Sequence, residues 1–230
     1  ITCIKRHFLF LLGAGIVLFM TSLAIFAPLL SPYSPTEPNV DMILFPPSAE
    51  HLLGTDAIGR DIFTRLLYGA RVSLWVGFIA VGISSLIGVT LGLISGYFGG
   101  IIDEIIMRIV DIMLCFPSFF LILAVIAFLE PSMMNIMIVI GLTSWTGLTR
   151  LVRAETLSLR ERDFILATKL SGASKARILF VHILPNTLAP VLVSATLGIA
   201  GAILVESSLS FLGLGVQPPY PSWGNMLLDG

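Results

Sequence analysis

Five stretches of mostly apolar residues, at roughly 7–30, 70–98, 112–129, 134–152 and 187–212, limit most strongly what this chain can fold into. Crossing a bilayer as a helix takes about 20 such residues, so each stretch predicts a transmembrane helix. Composition agrees: 56% of the 230 residues are hydrophobic and 12% charged, against about 25% charged in soluble domains, and the mean hydropathy is +0.99. The expectation is an all-α, polytopic membrane helix bundle. The first stretch follows Lys5-Arg6 but is too long for a signal-peptide core and lacks a small-x-small cleavage site before the proline-rich segment, so it is read as a retained helix. The chain starts at Ile1 and stops at Asp229-Gly230 just past a polar loop; both ends read as cut, and a sixth, C-terminal helix is expected beyond the five spans.

Orientation follows from the thirteen Lys and Arg residues. With the N-terminus in the cytoplasm, the inside segments hold Lys5, Arg6, Arg108, Arg150, Arg153, Arg160, Arg162, Lys169, Lys175 and Arg177, and the outside loop holds Arg60, Arg65 and Arg71. Ten against three is a positive-inside bias, which places 153–186 in the cytoplasm and 31–69 outside. Cys3 and Cys115 lie in or beside separate apolar segments and indicate no disulfide framework or metal site.

The outer loop opens on a proline-rich run, Ser31 to Pro38, which favours extended chain. Beyond it Ile58, Ile62 and Leu66 recur at i, i+4 beside Phe63 and Leu67, with Asp61 and Arg65 at i, i+4 on a more polar face, predicting an amphipathic helix at the membrane surface. Asp56 and Asp61 lack a nucleophile or histidine dyad, so capping and charge pairing describe them better than catalysis. Within the spans, Ala80, Ser84, Gly88, Gly92 and Gly96 form a small-xxx-small ridge for close helix approach. Ser194, Gly198, Ala202, Glu206 and Ser210 repeat the pattern and place Glu206 on a protein-facing ridge. A carboxylate at membrane depth is costly; Glu206 is a translocation-path candidate that either contacts the solute or sits near the outer mouth bonded to neighbouring backbone. Pro117 and Trp145 read as kink and packing residues.

Between the fourth and fifth spans lies a basic, polar segment. Ser158-Leu159-Arg160-Glu161 matches a capping box that would start one short helix, Gly172 would stop it, and Ser174 would cap a second that Pro185 interrupts. Apolar Phe164, Ile165 and Leu166 beside Ala167 on this cytoplasmic elbow call for a docking partner.

The spacing from Gly172 to Leu184-Pro185 resembles the cytoplasmic EAA loop of bacterial ABC-importer permeases, E-A-A-x-x-x-G, nine residues, then I-x-L-P. Aligned on Gly172, Leu166, Ala167 and Thr168 stand for E-A-A, and His182, Ile183, Leu184 and Pro185 for the tail. Two further blocks are similar to the second, C-type permease of the dipeptide, oligopeptide and nickel subfamily. They are Gly54-Thr55-Asp56 with Gly59-Arg60-Asp61 and Tyr68 to Leu74, and Ser208 to Gly215 with Pro218-Pro219 and Pro221 to Leu227.

That resemblance implies a permease subunit for di- or oligopeptides in a bacterial or archaeal cytoplasmic membrane, residues 1–69 forming the first helix and outer loop and 70–230 the permease core. It implies a homologous second permease, two ATPase subunits and an extracytoplasmic binding protein as partners, with no nucleic acid. The elbow would be the ATPase-docking coupling loop, through Asp163, Leu166, Ala167, Thr168, Gly172, Ala173, Ser174 and Pro185. No cofactor is expected on this chain. It has no G-x-x-x-x-G-K-[ST] loop, and ATP and Mg would sit on the partner ATPase. Leu166 departs from the family glutamate, so apolar packing would replace a charge-assisted contact. Alternatives are a nickel or other small-solute importer, though His7, His51 and His182 are scattered, and a secondary transporter, for which inverted repeats and coupling charges are missing. A membrane enzyme lacks any constellation of His, Ser or paired carboxylates.

Overall fold

The computed structural model describes residues 8–130 and 132–229; Cys3, Lys5, Arg6 and His7 lie outside them. The long helices are α1 (Phe8–Leu30), α2 (Ile62–Phe98), α3 (Gly100–Leu114), α4 (Ser118–Ala127), α5 (Met133–Thr143) and α6 (Trp145–Arg160). After them come α7 (Asp163–Leu170), one turn of α8 (Lys175–Arg177), a π-helical stretch (Ile178–Ile183), α9 (Leu184–Phe211) and α10 (Trp223–Asp229). Among the described residues there is no strand, only an isolated bridge between Thr55 and Asp61. Leu11–Leu30, Ile62–Phe98, Met133–Arg160 and Lys175–Phe211 are each long and apolar enough to cross a membrane, and α3 with α4, bent by 80°, makes a fifth span if the pair is counted as one.

Four boundaries differ from the sequence expectation. The surface helix expected around Ile58 is the first turns of α2, a 37-residue helix of roughly 55 Å that outruns a ~30 Å hydrocarbon core. Asp61 fixes its start, the carboxylate accepting from Thr64 N at 2.7 Å and Thr64 Oγ1 at 2.6 Å. The third span begins earlier, at Gly100, and breaks where Pro117 lacks a donor. Ser158 starts nothing: it lies inside α6, which continues because Val152 and Thr156 are fully buried. Pro185 does not interrupt its helix either. A π-helical turn stands immediately before it, where a proline would unpair an α-helical carbonyl, and Asn186 Nδ2 donates to His182 O at 2.6 Å.

The chain packs as two compact units. In the unit of residues 77–130 and 134–205, α2 meets α6 along the expected ridge. A Cβ added to Gly88 would lie 3.0 Å from Leu148 Cβ, at Gly92 2.7 Å from Val152 Cβ, and at Gly96 2.6 Å from Thr156 Cβ. Both rows step by four residues, so one helix's missing side chains receive the other's row. Gly141 approaches Ala80 and Ile83 in the same way, and Gly77 approaches Ile199. The helices' far ends are tied by charge, with Arg153 Nε and Nη2 both 2.5 Å from Asp103 and Arg160 Nη1 donating to the carbonyls of Gly96 and Tyr97.

The other unit, residues 8–76, 132–133 and 206–229 among those described, contains the 31–61 loop. Gly59, at φ +81°, turns the chain back so that Asp56 accepts from the backbone of Ile58 and Arg60 and from the guanidinium groups of Arg60 and Arg65. His51 Nδ1 lies 2.9 Å from Asp61, with Tyr33 packed on its ring, and Ser31 bonds Thr64. Both carboxylates are thus structural. Arg65, expected to pair with Asp61 one turn away, reaches Asp56.

Burial alone would raise the Asp56 carboxyl. The backbone donors of Arg60 and Ile58 and then the two guanidinium groups outweigh it and hold Asp56 below its ordinary value of 3.8. A carboxyl depressed on folding contributes stability that is full above that ordinary value and is lost as pH falls from it through the lower folded value. Protection of the 31–61 loop from proteolysis should therefore weaken below about pH 4, and Asp56→Asn should remove about 3–5 kcal/mol and expose the loop already at pH 7. A variant as resistant as wild type would contradict this network. For the ridge, Gly92→Val should lower stability by about 1–3 kcal/mol or more, read as a thermal shift in detergent, whereas Gly82→Ala, with open space around it, should be near neutral.

Candidate functional site

The elbow is built locally. Asp163 stands in the first turn of α7, where a negative charge complements the helix N-terminus. At the other end Gly172 takes φ +77°, with Gly172 N donating to Lys169 O at 3.0 Å and Ala173 N to Thr168 O at 3.3 Å, a Schellman-type stop that needs glycine. Ser174 then caps α8 by accepting from Arg177 N.

Of the expected docking residues, Asp163, Leu166, Ala167, Gly172 and Ser174 are exposed, Thr168 and Ala173 half-buried. Thr168 Oγ1 turns back onto Phe164 O at 2.7 Å. Pro185 is exposed but stands away from the turn, at the start of α9 beyond the π-helical stretch. Ile165 is not on the apolar outer face: it is fully buried, and the face consists of Phe164 and Leu166, each 45% exposed, and Leu170, 89% exposed. Leu170 escaped the sequence reading, although its place two residues before the Gly172 stop puts it at the tip.

Ile165 joins Ile178, Leu179 and Ile183 in a core with Leu93, Leu148, Val152 and Val191. The elbow is thereby packed onto α2, α6 and α9, and Lys169 and Lys175 lie over the rings of Tyr97 and Phe98 at 5.7 and 5.5 Å from the centroids.

Leu148 also faces a cavity of about 320 Å³ bounded by Ser84, Ser85, Ser144, Ser194 and Gly198. Its lining carries hydroxyls and small residues and no ionisable side chain. Ser84, Ser194, Gly198 and Ala202 belong to the small-residue ridges; Ser85 and Ser144 lie off that four-residue spacing, so no ridge marks them.

Glu206 is fully buried. Ser210 Oγ donates to Oε1 at 2.6 Å and accepts from Val216 N at 3.0 Å. Ser73 and Ser222, whose hydroxyls flank the carboxylate, accept from Trp223 N and Asn225 N, both at 3.3 Å. Only Ser210 bonds the carboxylate directly; among the described residues Glu206 Oε2 is buried with no hydrogen-bond partner. This arrangement folds the 212–226 segment around Glu206. Among the described residues no three His, Cys, Asp or Glu side chains converge as a metal site.

Comparison with known proteins identifies the family. The model described as binding-protein-dependent transport system inner membrane component matches residues 88–229, and that described as N-terminal TM domain of oligopeptide transport permease C matches 4–47. The dipeptide transport system permease protein DppC of Alkalihalophilus pseudofirmus is 52% identical over 226 residues, covering 98% of this chain and 74% of that protein. DppC of Haemophilus influenzae is 44% identical, covering 95% and 76%, and the oligopeptide transport system permease protein OppC of Bacillus subtilis 41%, covering 98% and 74%. An inward-facing structure of the MetNI methionine ABC transporter shares the fold at a TM-score of 0.56 and 20% identity, covering 66% of this chain and 76% of that one. The chain belongs to the binding-protein-dependent transport system inner membrane components, as a multi-pass permease subunit of an ABC importer and not an enzyme.

Proposed function

We propose that this subunit carries di- or oligopeptides across the cytoplasmic membrane by alternating access. Its elbow sits in a cleft of a separate ATPase that binds ATP and Mg²⁺. A homologous second permease, a second ATPase and an extracytoplasmic binding protein complete the assembly. Residues 1–69 serve as the first helix with the outer loop and 70–230 as the permease core, with the N-terminus in the cytoplasm; matches of separate family models to 4–47 and 88–229 support that division. The peptide assignment draws on relatives named for dipeptide and oligopeptide transport.

One observation carries the mechanism: Leu148 belongs both to the core that holds Ile165, Ile178 and Ile183 and to the wall of the serine-lined cavity. Close-packed side chains transmit displacement because they have no free volume to absorb it. When the ATPase dimer closes and moves Phe164, Leu166 and Leu170, the helices behind them move as a body and the cavity changes the side to which it opens. Leu166, apolar where the family pattern has glutamate, fits docking by packing between Phe164 and Leu170, while Asp163 supplies charge at the rim. A neutral cavity of hydroxyls suits a solute rich in amide groups, which it can bond without demanding a fixed charge. Glu206, through Ser210 and its bond to Val216, keeps the outer segment folded.

Gly172→Val, a β-branched residue at φ +77°, should cut uptake at least about tenfold while the protein still inserts into the membrane, because the turn that presents the docking face is lost. Uptake at the wild-type rate would refute docking through this turn. Labelled dipeptide against labelled nickel in a deletion strain tests the solute; transport of nickel alone would overturn the peptide assignment.

A further inference from the structure

A second groove, of about 610 Å³, runs along α2 from Gly82 past Leu86 to Ile94 and is closed on its other side by Leu179, Phe180 and Leu184 of the π-helical stretch and the start of α9. Only Ser85 and Thr90 in its lining are polar. Twelve helical steps from Gly82 to Ile94 make it roughly 18 Å long, close to the ~15 Å depth of one hydrocarbon leaflet. Leu86 and Phe180 are exposed, so it opens outward.

One end of the groove is basic. Tyr97 and Phe98 stand four residues beyond Leu93 and Ile94 and extend the same walls by one turn. Over those two rings sit the ammonium groups of Lys169 and Lys175. The surrounding segment is cationic, with Arg160, Arg162, Lys169, Lys175 and Arg177 against Glu161 and Asp163.

We infer that this groove holds an acidic phospholipid of the cytoplasmic leaflet, its acyl chain between α2 and the π-helical stretch and its phosphate between Lys169 and Lys175. An apolar slot of leaflet depth with cations at one end only has the polarity of such a lipid. A protein helix, of this chain or of another subunit, would fill the slot without using the two ammonium groups. The site abuts the elbow, because Leu179 belongs to the core that anchors Ile165, so a bound lipid stiffens the packing that docking loads. The inference rests on the elbow lying at the cytoplasmic surface and is independent of which solute is carried.

The assembled transporter in phosphatidylcholine nanodiscs containing a small fraction of phosphatidylglycerol with a photoreactive acyl chain tests it, by mapping the cross-linked peptides. Adducts should concentrate on Leu86, Ile94 and Phe180, should be displaced by unlabelled phosphatidylglycerol but not by added phosphatidylcholine, and should fall about tenfold in Lys169→Gln/Lys175→Gln. Adducts spread evenly over exposed helices, equal displacement by both lipids, an unchanged yield in the variant, or cross-links from the groove to a protein helix of this or another subunit would each overturn it. If the double variant does not assemble, the wild-type competition between the two lipids decides alone. Uptake does not enter the readout, so a negative result leaves the peptide assignment standing.

Discussion

Gly88, Gly92 and Gly96 let α2 and α6 approach until the Leu148, Val152 and Thr156 side chains occupy the space where α2 has none, and the rest of the 77–205 unit depends on that contact. Between lipid-embedded helices there is little hydrophobic force to gain, so close van der Waals contact has to hold them. The ridge also sets the register that brings Arg160 onto the carbonyls of Gly96 and Tyr97 and positions the end of α2 beneath the elbow. Asp103 and Arg153 secure the same end from α3.

Above that base the elbow has two faces with separate tasks. Ile165, Ile178 and Ile183 point inward and join it to the core, whereas Phe164, Leu166 and Leu170 point outward and are available to a partner. The glycine stop at 172 and the serine cap at 174 hold the short helices at a fixed angle, so force applied outside reaches the core without first straightening a loop. On the proposed docking face Leu166 stands where the family pattern has glutamate, and docking there would trade a charge-assisted contact for packing area.

Much of this was legible in the sequence because the governing features are local and repetitive. Twenty-residue apolar runs announce spans, and a glycine every fourth position announces a contact face. What the sequence hid depends on distant partners. Ser158 looked like a cap but lies inside α6, since burial of Val152 and Thr156 against α2 carries the helix past it. Pro185 looked like a stop, yet a π-helical turn absorbs its missing donor. In the eight residues of α7 the apolar side chains lie on all sides, so periodicity alone does not tell buried Ile165 from exposed Leu170. Asp56 to Arg65 and His51 to Asp61 are contacts across nine and ten residues made by a folded loop, which no helical spacing reveals. For Glu206 the four-residue spacing put it on a ridge, but not the enclosing hydroxyls of Ser73 and Ser222, which come from far along the chain.

The claim on which the functional account rests is that Ile165 transmits movement from docking face to cavity. Its most direct test is the number of peptides imported per ATP hydrolysed by the reconstituted transporter carrying Ile165→Ala, whose outer face of Phe164, Leu166 and Leu170 is untouched. The account predicts an assembled complex that still hydrolyses ATP but imports severalfold fewer peptides per ATP, because a void now separates the elbow from the core. An unchanged ratio in an assembled complex would contradict it.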